Sequence, residues 1–282
     1  MRTPKLVLVG GMVLVLAMAG TATANTLWGT SHGTSGFWTG GSIWTFDTTT
    51  SALTVKHTYS SAQLFAFGDI AVSPAGEVYV TYYGQDGFDK LAKVNTSTWD
   101  FDWVHDLGGS SDQVNALEFI GSELYGVTGG GIDAHLLKFA LPGGGATVTD
   151  LGKIGINSDG DLSRDPLTGD VYYTSWETGN QSQLNTVDLT VPSETLVAYI
   201  TPSNGWAGLA FTLDGTLWAG NYWLNDLYTL DKSTGVATFV SDLPGVGSVT
   251  GLSVPVPEPV TMAGMLMAVG GLAGYIRRRR TA

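Results

Sequence analysis

The stretch Val249-Thr250-Gly251-Leu252-Ser253-Val254 reads as a short apolar strand, and it stands at the end of a repeat that begins one strand short. The repeat is marked by an aliphatic residue followed by an aromatic one. Copies occur at Leu27-Trp28, Val78-Tyr79, Leu124-Tyr125, Val171-Tyr172 and Leu217-Trp218, spaced 51, 46, 47 and 46 residues apart. Most copies follow a turn: Ser73-Pro74-Ala75-Gly76, Ile120-Gly121-Ser122, Asp165-Pro166-Leu167-Thr168-Gly169 and Leu213-Asp214-Gly215. Each turn supplies Pro, Asp or Gly where a hairpin needs a preset or positive φ.

A strand is predicted before each of these turns: Ile70-Ala71-Val72, Ala116–Ile120, Leu162-Ser163 and Gly208–Leu213. A third follows each pair, at Ile43–Asp47, Leu91–Asn95, Leu136–Phe139, Leu184–Asp188 and Leu227–Asp231. A fourth follows at Leu53–Tyr59, Asp100–Leu107, Thr147–Leu151, Glu194–Ile200 and Val236–Leu243. Four short antiparallel strands per unit is the arithmetic of a propeller blade. The first unit lacks its own first strand, and Val249–Val254 supplies it from the far end of the chain. A C-terminal strand completing an N-terminal blade closes a ring without free edges, which argues against an open solenoid. The expected fold is all-β, a five-bladed β-propeller closed by a C-terminal strand. The turns, Asp165–Gly169 among them, are similar to those of gluconolactonase-type secreted propellers.

The two ends of the chain are of another kind. Arg2 and Lys5 precede an apolar run to Gly20, and Ala22-Thr23-Ala24 is a small-residue cleavage site, so residues 1–24 read as a signal peptide cut between Ala24 and Asn25. At the other end, Pro257-Glu258-Pro259 is followed by an uncharged apolar run over residues 260–276 and then by Arg277, Arg278, Arg279 and Arg280. Seventeen helical residues span about 25 Å, the low end for a bilayer, and terminal arginines stay on the cytoplasmic side. Residues 256–282 resemble the PEP-CTERM sorting signal of Gram-negative bacteria. That resemblance implies an exosortase, a membrane-embedded cysteine transpeptidase, as processing partner beside signal peptidase. It also implies export through the inner membrane, a transmembrane helix during maturation, and a cell-surface or extracellular product tied to exopolysaccharide or biofilm. The expected organisation is then a signal peptide (1–24), a propeller domain (25–255) and a sorting signal (256–282).

Composition narrows the partners. The chain has 13 basic and 25 acidic residues; without both end segments 7 and 24 remain, a net charge of about −17. Nucleic acid is excluded as a partner, since phosphate binding needs a positive surface. Cysteine is absent, which removes disulfides and thiol nucleophiles together. The remaining classes are a binding or structural module, a glycan-binding module, and a calcium-dependent lactonase or esterase-like hydrolase.

Blade geometry places the loops into the first strands and those between second and third strands on one face. That face is expected to collect the aromatic residues Trp38, Tyr82, Trp176, Trp206 and Trp223 with His32 and His135, a combination suited to saccharide: rings pack on sugar C–H groups while polar groups bond hydroxyls. Asp69, Asn115 and Asp161 are expected on loops of the same face. Asn157-Ser158-Asp159-Gly160-Asp161 and Asp165 alternate oxygen ligands as calcium loops do, although Leu162 and Thr168 stand where an EF-hand loop has Gly and Glu. Asn157, Asp159, Asp161 and Asp165 are therefore the candidate calcium ligands. No Gly-x-Ser-x-Gly elbow is present, and the four histidines lack metal-ligand spacing, so no catalytic residue is assigned.

Overall fold

The computed structural model describes residues 25–34, 39–108, 113–129, 133–141, 145–155, 160–177, 181–203 and 205–255, with the backbone alone for Trp176 and Glu177. Five four-stranded antiparallel sheets form a ring. Blade 1 holds β1 (Thr26–His32), β2 (Gly40–Asp47) and β3 (Ala52–Ser60). Blade 2 is β4 (Ala66–Val72), β5 (Val78–Tyr83), β6 (Asp89–Val94) and β7 (Phe101–Gly108). Blade 3 is β8 (Gln113–Ile120), β9 (Glu123–Gly129), β10 (Ala134–Ala140) and β11 (Thr147–Gly155). Blade 4 is β12 (Leu162–Arg164), β13 (Val171–Glu177), β14 (Gln181–Asp188) and β15 (Ser193–Tyr199). Blade 5 is β16 (Trp206–Phe211), β17 (Leu217–Asn221), β18 (Asp226–Leu230) and β19 (Ala237–Asp242). The last strand, β20 (Val249–Ser253), is the innermost strand of blade 1, in the order β20-β1-β2-β3. It pairs antiparallel with β1, Trp28 opposite Ser253 and Gly29 opposite Leu252. The ring closes as the repeat phase requires.

Burial follows position in the blade. The inner strands β16 and β20 are buried along their whole length, while outer strand β7 alternates half-buried and exposed residues. An inner strand is covered by neighbouring blades on both faces; an outer strand is covered on one. The apolar core is divided accordingly into clusters between adjacent blades. The cluster between blades 5 and 1 joins Leu27, Trp44 and Phe46 to Ala210, Trp218 and Leu227, with Val249 and Leu252 of the closing strand. Fully burying such side chains stabilises by roughly 1.5–3 kcal/mol each, and this set is buried only when the ring is shut.

A repeated device ends the third strand of four blades. The Oδ1 atoms of Asp47, Asn95, Asp188 and Asp231 each accept the backbone N–H groups two and three residues on, for example Thr49 at 2.8 Å and Thr50 at 2.9 Å. These Asx turns reverse the chain into the outer strand and occupy donors that would otherwise lack partners.

The strands run further toward the top face, the face of the β1–β2 and equivalent loops, than the sequence suggests. The β1–β2 connection, expected over Gly29–Ser42, is bounded by His32 and Gly40. The cause is the glycines. Gly29 and Gly41 look like turn residues but lie within strands, where a Cβ would overlap the Trp44 ring and the Phe67 ring respectively. They permit close side-chain packing rather than a turn. His32, Asp69, Tyr82, Asn115, His135, Trp176 and Trp206 are on strands, not on loops. Among the described residues no helix is long and apolar enough to cross a membrane. Pro257, Glu258, Pro259, residues 260–276 and Arg277–Arg280 lie outside the described residues, as do residues 1–24.

Candidate functional site

Five inner strands converge on the axis, and each turns an open edge toward it. The N–H groups of Ile70, Leu117, Leu162, Leu209 and Leu252, one from each inner strand, are all taken by two side chains. Asp69 accepts Ile70 (2.6 Å) and Leu117 (2.5 Å). Asp161 accepts Leu162 (2.6 Å), Leu209 (2.6 Å) and Leu252 (3.0 Å). Both carboxyls are fully buried, and they hydrogen-bond each other, which two carboxylates can do only by sharing a proton. Burial, then the charge of Asp161, push Asp69 well above the usual carboxylate range; burial raises Asp161 to about 7, opposed by the Asp69 bond and three amides. Gly251 makes room for the pair, since a Cβ there would overlap Asp69 Oδ1.

A second polar layer lies beneath. Ser163 Oγ accepts Phe211 N–H and Ser253 Oγ accepts Val72 N–H, both at 3.0 Å. The two hydroxyls in turn donate to Glu118 Oε1 (3.5 Å) and Oε2 (3.4 Å). Glu118 is also buried, and burial lifts its carboxyl well above its ordinary range. The axis is thus a buried column of hydrogen bonds that ties the closing strand to blades 2, 3 and 4.

One residue above this column the environment changes. Gly68, Asn115, Ala207 and Thr250 immediately precede Asp69, Ala116, Gly208 and Gly251 in the inner strands. They floor a top-face cleft of about 380 Å³. Its walls carry His32, Phe67, Tyr82, Tyr83, Asp89, Gln113, Tyr222 and Trp223. His32 links three blades: its ring bonds the Phe67 carbonyl, and its Nδ1 faces Tyr222 Oη at 3.4 Å. Burial lowers its pKa to about 4, with the Phe67 bond opposing, so the imidazole is neutral at physiological pH. Tyr222 packs edge-on against both His32 (ring centroids 5.4 Å) and Trp223 (4.8 Å). Trp223 is 58% exposed. Its loop is braced by Asn221, fully buried, whose Oδ1 accepts Trp223 N–H and Leu224 N–H at 2.9 Å each. Its indole Nε1 would lie 2.6 Å from a Cβ on Gly205, so a glycine is needed beneath it.

Of the residues singled out from sequence, the cleft brings together His32, Tyr82 and Trp223, with Asn115 in its floor. Trp206 is not among them. It is 3% exposed, packs edge-on against Tyr228 at 4.9 Å, and donates its indole N–H to Pro202 O at 3.2 Å. It is a core residue of blades 4 and 5. His135 pairs with Asp150 at 2.9 Å on blade 3 and does not line the cleft. Trp38 and the Trp176 side chain lie outside the described residues. The proposed calcium loop is divided by the fold. Asp161 faces the axis at the top of β12, whereas Asp165 follows β12 at its other end, ion-paired with Lys232. Four residues of strand put the two about 13 Å apart, too far to share one cation. Asn157 and Asp159 lie outside the described residues, and the described residues hold no metal-binding cluster of three or more His, Asp or Glu.

Sequence reasoning passed over Asp89 and Glu118. Glu118 had a signal: it is the charged residue within the apolar run Ala116–Ile120. Asp89 had none, since a polar residue beside a hairpin loop is ordinary.

No protein-family model matches the chain, and no curated protein is significantly similar to it. Solved structures are similar in fold. A chain of the nidogen/laminin complex superposes with a TM-score of 0.52 at 12% identity, over 83% of this chain and 99% of that one. A protein of unknown function from Bacteroides thetaiotaomicron gives 0.52 at 16% identity, over 82% and 59%. A 6-phosphogluconolactonase candidate from Bacteroides fragilis gives 0.49 at 13% identity, over 83% and 98%. At such identities the likeness is one of architecture, and the chain is a five-bladed β-propeller.

Proposed function

We propose that this protein is an exported, exosortase-processed binding propeller of the cell envelope or extracellular matrix, and that it takes saccharide in the top-face cleft. The observation that carries the binding reading is the mounting of Trp223. A single exposed aromatic is ordinary on a protein surface and carries nothing by itself. Here it is braced by Asn221, Tyr222 and Gly205 and stands at the mouth of a cleft with hydroxyl, amide and carboxylate groups. A rigid ring beside convergent polar groups suits a sugar face. Export and tethering rest on the leader (1–24) and on the Pro-Glu-Pro, apolar and arginine order of the tail. A glycan array with the purified protein tests the binding; silence across surface polysaccharides removes it. Mass spectrometry of the mature C-terminus tests the sorting; a product that keeps Arg277–Arg280 removes that.

The alternative of a calcium-dependent lactonase or esterase-like hydrolase is less well supported by the residues present. Asp69 and Asp161 are committed to backbone amides in the axis. Among the described residues that line the cleft there is also no Lys or Arg to hold a phosphorylated substrate. Turnover of lactones or esters that is lost with a chelator would favour the hydrolase over the binding module.

A further inference from the structure

We infer that the cleft ends in a hydroxyl seat between blades 2 and 3, where Thr81 Oγ1 and the Val114 carbonyl oxygen together take the hydroxymethyl group of a hexose across the bare Cα of Gly68. This rests on the saccharide reading of the same cleft.

Thr81, on β5, is 1% exposed, and its hydroxyl has no hydrogen-bond partner among the described residues. Buried hydroxyls are seldom left so, because an unmet polar atom away from water is costly. Thr81 does not itself border the cleft, but Gly68 and Val114 do. Gly68 has no Cβ, and the position one would take lies 2.7 Å from Thr81 Oγ1 and 2.7 Å from Val114 O. A side chain at this position would cover both oxygens; glycine leaves them within reach of a group at the cleft floor.

Two bulges adjoin here. Gly68 is the extra residue between the pairs Phe67–Tyr82 and Asp69–Thr81. Asn115 is the extra residue between Val114–Thr128 and Ala116–Val127. A bulge interrupts the ladder and re-aims the groups beside it. In this place a carbonyl of blade 3 faces a glycine of blade 2.

The two oxygens are complementary to one chemical group. Thr81 has a proton to donate, whereas a carbonyl oxygen only accepts. A ligand hydroxyl meets both at a single atom, accepting from Thr81 and donating to Val114 O. An ammonium group leaves the Thr81 proton unmet, a carboxylate brings no proton to the carbonyl, and a methyl group satisfies neither. A hydroxymethyl group projects further from a pyranose ring than a ring hydroxyl does, which suits a seat behind the floor residue rather than on it. The ring then remains in the cleft, where Tyr222 and Trp223 border it.

The test is titration of the full chain with the methyl glycosides of glucose, galactose and mannose, each beside a counterpart carrying methyl in place of hydroxymethyl. Tryptophan fluorescence or calorimetry reports affinity. At least one hexoside is expected to bind, and its counterpart to bind about tenfold or more weakly, because the buried oxygens lose their partner. Thr81→Val, close in shape but without the hydroxyl, should erase this difference. It should leave the melting temperature unchanged or raised, since the hydroxyl it removes has no partner in the free protein. Thr81→Ser should keep the difference, and Gly68→Ala should erase it by covering the seat. A binding hexoside whose counterpart binds equally overturns the inference and leaves the saccharide reading standing. So does a Thr81→Val variant that keeps the preference, or one that melts several degrees lower, which would assign the hydroxyl a structural bond. Absence of binding by every hexoside overturns it as well, and the saccharide reading then stands or falls on the glycan array. The comparison of ligands on the unaltered protein decides the matter even where a variant fails to fold.

Discussion

Asp69 and Asp89 belong to the same blade and are both buried, yet they do opposite work. Asp69 sits in the axial column, where backbone amides and a shared proton neutralise it internally. Asp89 lines the cleft among aromatic residues. The boundary between the two regions is one peptide: Gly68 floors the cleft, and Asp69 starts the buried column. Inner strands of a ring have no sheet partner on their axial edge, so their donors must be met by side chains. Above the level where the strands converge there is room for a ligand instead. The same strands thus solve a folding problem at one level and offer a binding surface at the next.

The largest effect expected from breaking this division is at Asp161. Its carboxylate serves three backbone donors from blades 4, 5 and 1. Asp161→Ala should cost about 3–5 kcal/mol, since each orphaned buried donor costs about 1–3 kcal/mol. Chemical denaturation measures it, and a loss under about 1 kcal/mol would mean that water reaches the column. Gly251→Ala should follow, at about 1–3 kcal/mol, because the added methyl overlaps the Asp69 carboxyl and must displace it. A melting temperature equal to that of the parent would show that the pair tolerates separation.

The proton in the column makes a third, smaller effect depend on pH. Asp69 and Glu118 are raised well above their ordinary values and Asp161 is raised to about 7. The folded state therefore holds protons that the unfolded chain has already released, and stability falls as pH rises through that range. His32 acts in the opposite sense but lower down: its folded value of about 4 lies below the ordinary 6.5, so its contribution is lost as pH falls between these values. The two oppose each other in mild acid, and the carboxyls act alone above it. The melting temperature should fall as pH rises from about 6.5 through about 7 and above, and Asp69→Asn should flatten the fall. A flat profile in the parent would contradict a shared proton. On the cleft side of the comparison, Trp223→Ala should change stability least, by under about 0.5 kcal/mol, while abolishing saccharide binding. A large loss of stability there would make Trp223 a structural residue.

Much of the fold was legible for one reason: repetition. A blade must turn at fixed intervals, and Asp47, Asn95, Asp188 and Asp231 mark the same turn by the same hydrogen bonds. The aliphatic–aromatic pairs mark the second strands because these are sandwiched between blades. The site was legible only in part. His32, Tyr82, Asn115 and Trp223 were found because top-face position follows from strand count. Trp206 was misjudged because a tryptophan near a strand end can face a cleft or a neighbouring blade, and the choice depends on Tyr228 and Pro202. Asp161 and Asp165 looked like joint ligands because they are near in sequence; a short strand carries them to opposite ends of the blade.

The residues by themselves determined the blade, the number of blades and the closure of the ring, because local turn chemistry and a fixed repeat length leave few other solutions. They also carry the export and sorting expectations, which depend on order and charge along the chain. Only the tertiary structure decided which acids are buried, which share a proton and which reach the cleft. Those outcomes depend on the convergence of five inner strands from distant parts of the chain. Asp69 and Asp161 meet at the axis although 92 positions separate them in sequence. No local pattern encodes such a meeting, because the space left for two carboxyls at the axis is set by Gly251 on a third blade.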